Sequence, residues 1–192
     1  MTVPAGRARL SLLFIAGMAS SLGFAPWNLW PLTLIGLGWL IRETATTGTT
    51  GTWRQAAKAG WVFGFGHFLL GTHWIAQAFQ YQQDMPAWTG WIGVVLLSAY
   101  LAVFPAAAAL AARRIASGGL ALVLGFAGWW TIAEALRGVL FSGFPWNPLG
   151  AAALPMAGLG QGAALVGARG RSAVIVLTSG ALYVLGERQW RT

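Results

Sequence analysis

Scarcity of charge is the feature that most limits what this chain can fold into. Charged residues make up 8% of the 192 residues and hydrophobic residues 57%, whereas soluble domains usually carry about 25% charged residues. So few charges cannot cover a surface exposed to water, and we therefore predict an integral membrane protein. The net charge of +8 lies in short clusters between apolar segments, which is typical of membrane topology signals. We expect no nucleic-acid partner.

The longest charge-free stretch, between Arg9 and Arg42, predicts two helices rather than one. A single helix over it would be about 48 Å long at about 1.5 Å per residue, and the apolar core of a bilayer is only about 30 Å thick. Pro26 and Pro31 end helices and enclose an aromatic turn. The first helix begins like a secretory signal, but Pro26 directly follows the candidate cleavage residue Ala25, so we expect a retained span.

The rest of the chain divides in the same way. We predict one all-α domain over residues 1–192, a polytopic transmembrane helical bundle of about six spans, with a bend at Pro105 in the fourth. The segment 141–170 is apolar but rich in Gly and Pro, so we expect it to lie at the membrane interface or to re-enter the membrane. The spans are predicted near residues 10–25, 29–41, 60–80, 88–112, 119–136 and 172–186.

The distribution of Lys and Arg predicts that both termini are cytoplasmic. In that orientation nine basic residues lie inside and three lie outside, in agreement with the positive-inside rule. The inside residues are Arg7, Arg9, Arg42, Arg54, Lys58, Arg113, Arg114, Arg188 and Arg191, and the outside residues are Arg137, Arg169 and Arg171.

Glu134 and Arg137 place two charges inside the predicted fifth span. Charge in such a segment is expensive and is usually functional or paired. Because residues three apart on a helix are neighbours, the two side chains can neutralise each other. Two interpretations stay open. In one, a paired charge sits near a helix end and Arg137 extends to the outer headgroups. In the other, the pair is a polar contact for a lipid headgroup or for a partner domain.

The motif Gly143-Phe144-Pro145-Trp146-Asn147-Pro148 follows the charged pair closely. The simplest interpretation is an aromatic turn at the membrane interface. The motif is unusual, however, and favours a functional role as an outer-leaflet rim that admits an acyl chain.

The third predicted span carries a pair of glycines and two histidines. Gly60 and Gly64 are spaced for close helix packing. His67 and His73 are six residues apart, so one helix does not place them on the same face, and no carboxylate lies near them in sequence. Because a metal site needs three or four converging ligands, we expect no bound metal.

Candidate catalytic groups are few. The chain contains no Cys, its acids are limited to four, and Lys58 is its only lysine. It shows no nucleophile elbow and no phosphate-binding or dinucleotide-binding fingerprint, so we predict no cofactor. From its residues alone the chain is not a complete enzyme. The four acids are Glu43, Asp84, Glu134 and Glu187.

Taken in order, five segments resemble the membrane-embedded N-terminal half of bacterial apolipoprotein N-acyltransferases. Each segment alone is weak, but their order and spacing over residues 23–150 make the resemblance more specific. The segments are Gly23-Phe24-Ala25-Pro26-Trp27 with Trp30-Pro31, Phe63-Gly64-Phe65-Gly66 with Trp74, Ala99-Tyr100-Leu101-Ala102 with Phe104-Pro105, Ala133-Glu134-Ala135-Leu136-Arg137-Gly138, and Gly143-Phe144-Pro145-Trp146 with Leu149-Gly150.

The resemblance implies a part in lipoprotein biosynthesis at the bacterial inner membrane. The family transfers a fatty acyl group from a phospholipid to the N-terminal amine of the lipidated cysteine of an apolipoprotein. A Glu-Lys-Cys triad in a nitrilase-like periplasmic domain, inserted after the seventh span, acts through a thioester. No residue here matches the triad, and a chain without Cys cannot form the thioester. We therefore expect no catalytic residue in this chain and a nitrilase-like domain as a separate partner.

What carries over from the resemblance is a membrane scaffold that holds the phospholipid donor and the lipoprotein acceptor. Arg169 and Arg171 depart from it, since they stand where an apolar run into the sixth span is expected. Three alternatives remain: a stand-alone lipid-binding or scaffold protein that pairs with a catalytic subunit, a truncated inactive fragment, and a small transporter. By the resemblance, the residues that line or support the lipid entrance are Trp27, Trp74, Glu134, Arg137, Phe144 and Trp146.

Overall fold

The structure, a computed structural model, describes residues 6–46, 53–81, 86–155, 161 and 163–189. Asp84 and Arg191 of the predictions above lie outside these residues. The described residues form helices and turns, with no strand among them, so the all-α prediction is confirmed. The helices are α1 (Gly6–Ser21), α2 (Trp30–Thr46), α3 (Trp53–Gly71), α4 (Ile75–Ala78), α5 (Trp88–Leu101), α6 (Val103–Ile115), α7 (Gly119–Arg137) and α8 (Ala163–Gln189).

Six helices form a bundle whose main contacts follow a closed ring. Around it, α1 packs on α3, α3 on α6, α6 on α7, α7 on α8, α8 on α2, and α2 again on α1. Helix α2 also contacts α3, α6 and α7 across the ring. Helix α5 lies against α3 and α4 outside this ring. The Ser20–His67 hydrogen bond joins the late parts of α1 and α3, so these two helices run in the same direction.

The two ends of the ring differ in chemistry. At one end, Arg137 of α7 reaches Phe68 of α3, and residues 143–149 pack there through the backbone of Trp146 and the side chain of Asn147. We call this the turn end. At the other end, Arg9 of α1 hydrogen-bonds and ion-pairs with the buried Glu43 of α2. We call this the basic end, because it also carries Arg54 at the start of α3 and the arginines that close α6.

Proline sets two of the helix breaks. Helix α1 ends at Ser21 and α2 begins at Trp30, so the predicted pair of helices around Pro26 is present. Helices α5 and α6 meet at Ala102, three residues before Pro105. A proline clashes with the carbonyl four residues earlier and offers no N–H to it. The break between α5 and α6 therefore falls just before Pro105, where the sequence predicts a bend.

Glycines let the helices approach closely. A side chain at Gly60 or Gly64 would meet Pro105 of α6 at 2.5 or 2.9 Å. The prediction of close helix packing at this glycine pair is therefore confirmed. On the other side of α3, a side chain at Gly17 would overlap the carbonyl of Phe63. Helices α1 and α6, the two neighbours of α3 in the ring, thus pack directly against its backbone.

Two helical stretches among the described residues are long and apolar enough to cross a membrane, Trp88–Ile115 and Gly119–Arg137. They correspond to the predicted fourth and fifth spans. The full set of six spans and the cytoplasmic termini stay predictions. Helix α8 begins before the predicted sixth span, and Gly167 interrupts it with a left-handed φ of 68°. Within 141–170, the described residues form 3₁₀ turns at Leu140–Ser142 and Leu149–Ala153.

Candidate functional site

The buried guanidinium of Arg137 anchors the chain that follows α7. Its side chain is only 3% exposed although it carries a charge. Nη1 donates a hydrogen bond of 2.8 Å to the carbonyl of Trp146, and Nη2 one of 3.5 Å to the carbonyl of Asn147. Its Cζ lies 5.1 Å from the centre of the Phe68 ring, within cation–π range. Arg137 therefore points inward, and extension to the outer headgroups, one of the two interpretations above, is wrong.

Glu134 holds the same segment from one helical turn earlier. Its Oε1 accepts hydrogen bonds from the backbone N–H of Leu149 at 2.6 Å and from the Trp130 indole at 3.2 Å. Within the described part of the chain, Glu134 and Arg137 form no ion pair closer than 4 Å. Each charge instead binds one part of the returning chain. Residues 143–149 are called the 143–149 turn below.

Asn147 closes the 143–149 turn onto the third helix. Its Nδ2 donates to the carbonyl of Gly71 at 3.0 Å, one of the carbonyls that the end of α3 leaves without a helical partner. Its φ is 49°, in the left-handed region that Asn tolerates better than most residues. Gly143 opens the turn with a φ of 81°, and a side chain there would overlap the carbonyl of Gly138.

A partly open cavity lies beneath the turn, between α3, α6 and α7. Its enclosed volume is about 10 Å³, enough for about one water molecule. Oε2 of Glu134 is buried and has no hydrogen-bond partner among the residues that the structure describes, so this side of the carboxylate has unused acceptor capacity there. The cavity is mostly apolar. Its lining includes His67, Phe104, Trp130, Glu134, Arg137 and Asn147.

His67 reaches this cavity from the third helix. The imidazole is 3% exposed, and its Nδ1 lies 2.7 Å from the Ser20 hydroxyl. Rings of three phenylalanines surround it. His73 is exposed, and its Nδ1 lies 2.6 Å from the carbonyl of Leu70, so the two histidines serve different local contacts. The surrounding phenylalanines are Phe24, Phe63 and Phe68.

The aromatic residues singled out by the sequence divide into two groups. Trp74 and Trp146 lie together at the turn end, with ring centres 5.6 Å apart, and are 44% and 54% exposed. Phe144 is partly buried, and its N–H donates to the carbonyl of Arg137 at 2.9 Å. Trp27 is 64% exposed in the α1–α2 turn, and no ring contact or hydrogen bond joins it to the others among the described residues.

Sequence reasoning missed three residues of this arrangement. Asn147 belongs to the motif that the sequence singled out, and its place between Pro145 and Pro148 indicates a turn. That pattern does not reveal its hydrogen bond to Gly71 of α3. Trp130 lies four residues before Glu134, a spacing that puts both on one helix face. His67 gave no signal for its bond to Ser20, because that partner lies 47 residues earlier in the chain.

Comparison with known proteins identifies the family. The family model for the apolipoprotein N-acyltransferase N-terminal domain matches residues 16–181. The chain is 38% identical over 177 residues to the apolipoprotein N-acyltransferase of Brucella melitensis, which covers 89% of the chain and 33% of that protein. It is 39% identical over 167 residues to that of Sinorhizobium fredii, covering 84% of the chain and 32% of that protein.

A third relative matches over nearly the whole chain. The apolipoprotein N-acyltransferase of Ralstonia nicotianae is 38% identical over 200 residues, covering 98% of the chain and 36% of that protein. The chain thus spans about a third of the length of the relatives it matches. On this family match and these identities, the chain belongs to the apolipoprotein N-acyltransferase family and matches its N-terminal domain.

Proposed function

We propose that this chain is the membrane part of an apolipoprotein N-acyltransferase and holds the phospholipid donor and the lipoprotein acceptor at the turn end. The observation that carries the proposal is the anchoring of the 143–149 turn by Glu134 and Arg137. The buried Arg137 and the partly buried Glu134 bind its backbone, while Trp146 stays 54% exposed. Such an arrangement fixes the position of an aromatic surface without covering it.

The exposed pair of Trp74 and Trp146 suits contact with lipid. Indole rings prefer the boundary between headgroups and acyl chains, where one edge is apolar and the other can be hydrated. The two rings come from different segments, one after α3 and one in the 143–149 turn. A donor acyl chain packed against them would lie beside the mouth of the cavity.

The proposed setting is the bacterial inner membrane, crossed by about six spans near the segments given above, with 141–170 at its outer face. The segregation of basic side chains to the end opposite the 143–149 turn supports cytoplasmic termini. Acyl transfer itself is proposed to need a nitrilase-like domain, which supplies the triad that no residue here matches.

The absence of Cys makes the topology directly testable. Ala8→Cys and Tyr81→Cys each place one thiol at an exposed position. We expect a membrane-impermeant maleimide to label Tyr81→Cys in intact spheroplasts and Ala8→Cys only after the membrane is permeabilised. Labelling of Ala8→Cys in intact cells would contradict the cytoplasmic N-terminus. Labelling of the unaltered chain gives the background.

Substrate holding is tested by photo-crosslinking of the purified chain in nanodiscs. The probes are a phosphatidylethanolamine with a diazirine in its acyl chain and a diacylglyceryl-cysteine peptide. We expect Trp74→Ala/Trp146→Ala to lower the yield with both probes about tenfold, since hydrophobic burial of two indoles is lost. The matched control is Trp88→Ala/Trp91→Ala, which removes two exposed indoles of α5 and should change the yield less than twofold.

Equal loss in both variants would show that the chain contacts lipid without a specific site, against the proposal. A second measurement separates the membrane part of the enzyme from a stand-alone lipid-binding protein. In it, the chain replaces the matching N-terminal third of the Ralstonia relative, and acyl transfer by the chimera is assayed. Crosslinking by the chain together with a folded but inactive chimera would favour the stand-alone alternative.

A further inference from the structure

We propose that Arg54 and Arg114, gathered on the ring of Trp53, form a binding site for the phosphate of an anionic phospholipid at the basic end. The site lies at the opposite end of the bundle from the 143–149 turn. It does not depend on the function proposed above.

Two guanidinium groups from different helices converge on one indole ring. Cζ of Arg54, in the first turn of α3, lies 5.2 Å from the centre of the Trp53 ring. Cζ of Arg114, in the last turn of α6, lies 4.7 Å from the same ring. The two like charges are therefore within about 10 Å of each other. Cation–π attraction holds each on the ring but does nothing to reduce their mutual repulsion.

At the basic end, the structure describes one acidic side chain, that of Glu43, and arginines already pair with it. Glu43 is buried and pairs with Arg9 and Arg42. Glu134 lies at the turn end. Among the side chains that the structure describes, Arg54 and Arg114 have no carboxylate partner. A cation–π contact uses no N–H as a hydrogen-bond donor, so the forked donors of both groups remain for an anion.

The position of Arg54 does not stabilise its own helix. A cation in the first turn of a helix faces the positive end of the helix dipole, which favours anions. Arg114, in the last turn of α6, is favourably placed by the same rule. Helix stability therefore accounts for Arg114 but not for Arg54, whose guanidinium is left available to an anion.

Phosphate is the anion that this geometry fits best. Guanidinium groups bind phosphate oxygens through two parallel hydrogen bonds, and an indole ring at a bundle end lies at the depth of the headgroups. Basic groups at a membrane surface attract lipids whose headgroups are negatively charged overall. We therefore assign the site to an anionic headgroup such as phosphatidylglycerol rather than to a zwitterionic one. Free phosphate shares the chemistry and is separated in the test.

The test measures phosphatidylglycerol binding to the purified protein by native mass spectrometry. We expect Arg54→Gln/Arg114→Gln to weaken binding roughly ten- to thirtyfold. The matched control, Arg7→Gln/Lys58→Gln, removes the same charge from exposed positions at the same end and should weaken binding less than threefold. Equal weakening in the two variants would overturn the proposal, since the basic end would then act only through its total charge.

Two further arms complete the test. Trp53→Leu leaves both charges in place and should still weaken binding at least threefold, because the ring no longer gathers them. Unchanged binding in that variant would also overturn the site.

Inorganic phosphate and phosphatidylcholine are expected to compete poorly with phosphatidylglycerol. Competition by inorganic phosphate at equal concentration would assign the site to free phosphate and refute the lipid. Unchanged melting temperatures would show that the variants are folded.

Discussion

Replacing Arg137 by methionine is expected to lower the free energy of unfolding by about 3–5 kcal/mol. The guanidinium is 3% exposed and binds the carbonyls of Trp146 and Asn147. Methionine keeps much of the side-chain volume but leaves both carbonyls short of a donor, and buried unsatisfied groups are costly. It also removes the cation that offsets the nearby Glu134 carboxylate in a mostly apolar cavity. Thermal unfolding in detergent measures the loss, and limited proteolysis within the 143–149 turn should accelerate with it.

The matched control is Arg169→Met, which removes an exposed arginine from the same end of the bundle. We expect it to change the free energy of unfolding by less than about 0.5 kcal/mol, as is usual for surface substitutions. Similar losses for Arg137 and Arg169 would show that net charge, and not the anchoring of the turn, decides stability.

A double substitution separates the two charges. Glu134→Gln keeps an oxygen that can accept from the N–H of Leu149 but carries no charge. Added to Arg137→Met, it should restore about 1–2 kcal/mol, because no partly buried carboxylate then lacks a compensating cation. Simple addition of the two losses would show that Glu134 and Arg137 act independently, although they hold the same turn.

Much of the fold was predictable because the responsible signals are local. Charge-free stretches marked the helices, and prolines marked the breaks near Pro26 and at Ala102. The order of helices around the ring was not predictable. Most of these helices are apolar on several sides, so the sequence does not say which face meets which neighbour. That information resides in close approaches such as Gly60 to Pro105, whose partner lies on another helix.

The sequence drew attention to the charged pair and the aromatic motif but did not predict how they are arranged. Glu134 and Arg137 stood out because charge is rare in such a segment. The helical spacing rule then suggested that they pair with each other, whereas both bind the chain that returns after α7. A local rule cannot anticipate that return. The part that the six residues play in a lipid entrance stays a prediction. Trp27 entered by resemblance along with Trp146, but among the described residues no ring contact or hydrogen bond joins it to the other five.

The contact between α1 and α3 should be the least tolerant of change in the bundle. A side-chain carbon at Gly17 would overlap the carbonyl of Phe63, and one at Gly66 would overlap that of Phe14. In both cases the obstacle is the backbone of the facing helix, which cannot rotate away as a side chain can. We expect Gly17→Ala and Gly66→Ala each to lower the free energy of unfolding by about 3 kcal/mol or more, at the upper end for overpacking.

Gly128 provides the control for helix propensity. It lies in α7 with nothing within 4 Å of an added side-chain carbon. Because alanine favours helix over glycine by about 1 kcal/mol, Gly128→Ala should leave stability unchanged or raise it. Unfolding of all three variants in the same detergent gives the comparison. Tolerance of alanine at Gly17 and Gly66 would mean that α1 and α3 lie farther apart than the structure has them.

The same substitutions should also disturb the turn end, although no residue of the 143–149 turn is changed. Ser20 and His67 are hydrogen-bonded across the α1–α3 contact. Phe68, the next residue, supports the guanidinium of Arg137. Separation of the two helices would therefore shift the surface on which Arg137 rests. We expect Gly17→Ala to accelerate proteolysis of the turn as Arg137→Met does, whereas Gly128→Ala should not. Loss of stability with an unaltered turn would show that the site is held by α7 alone.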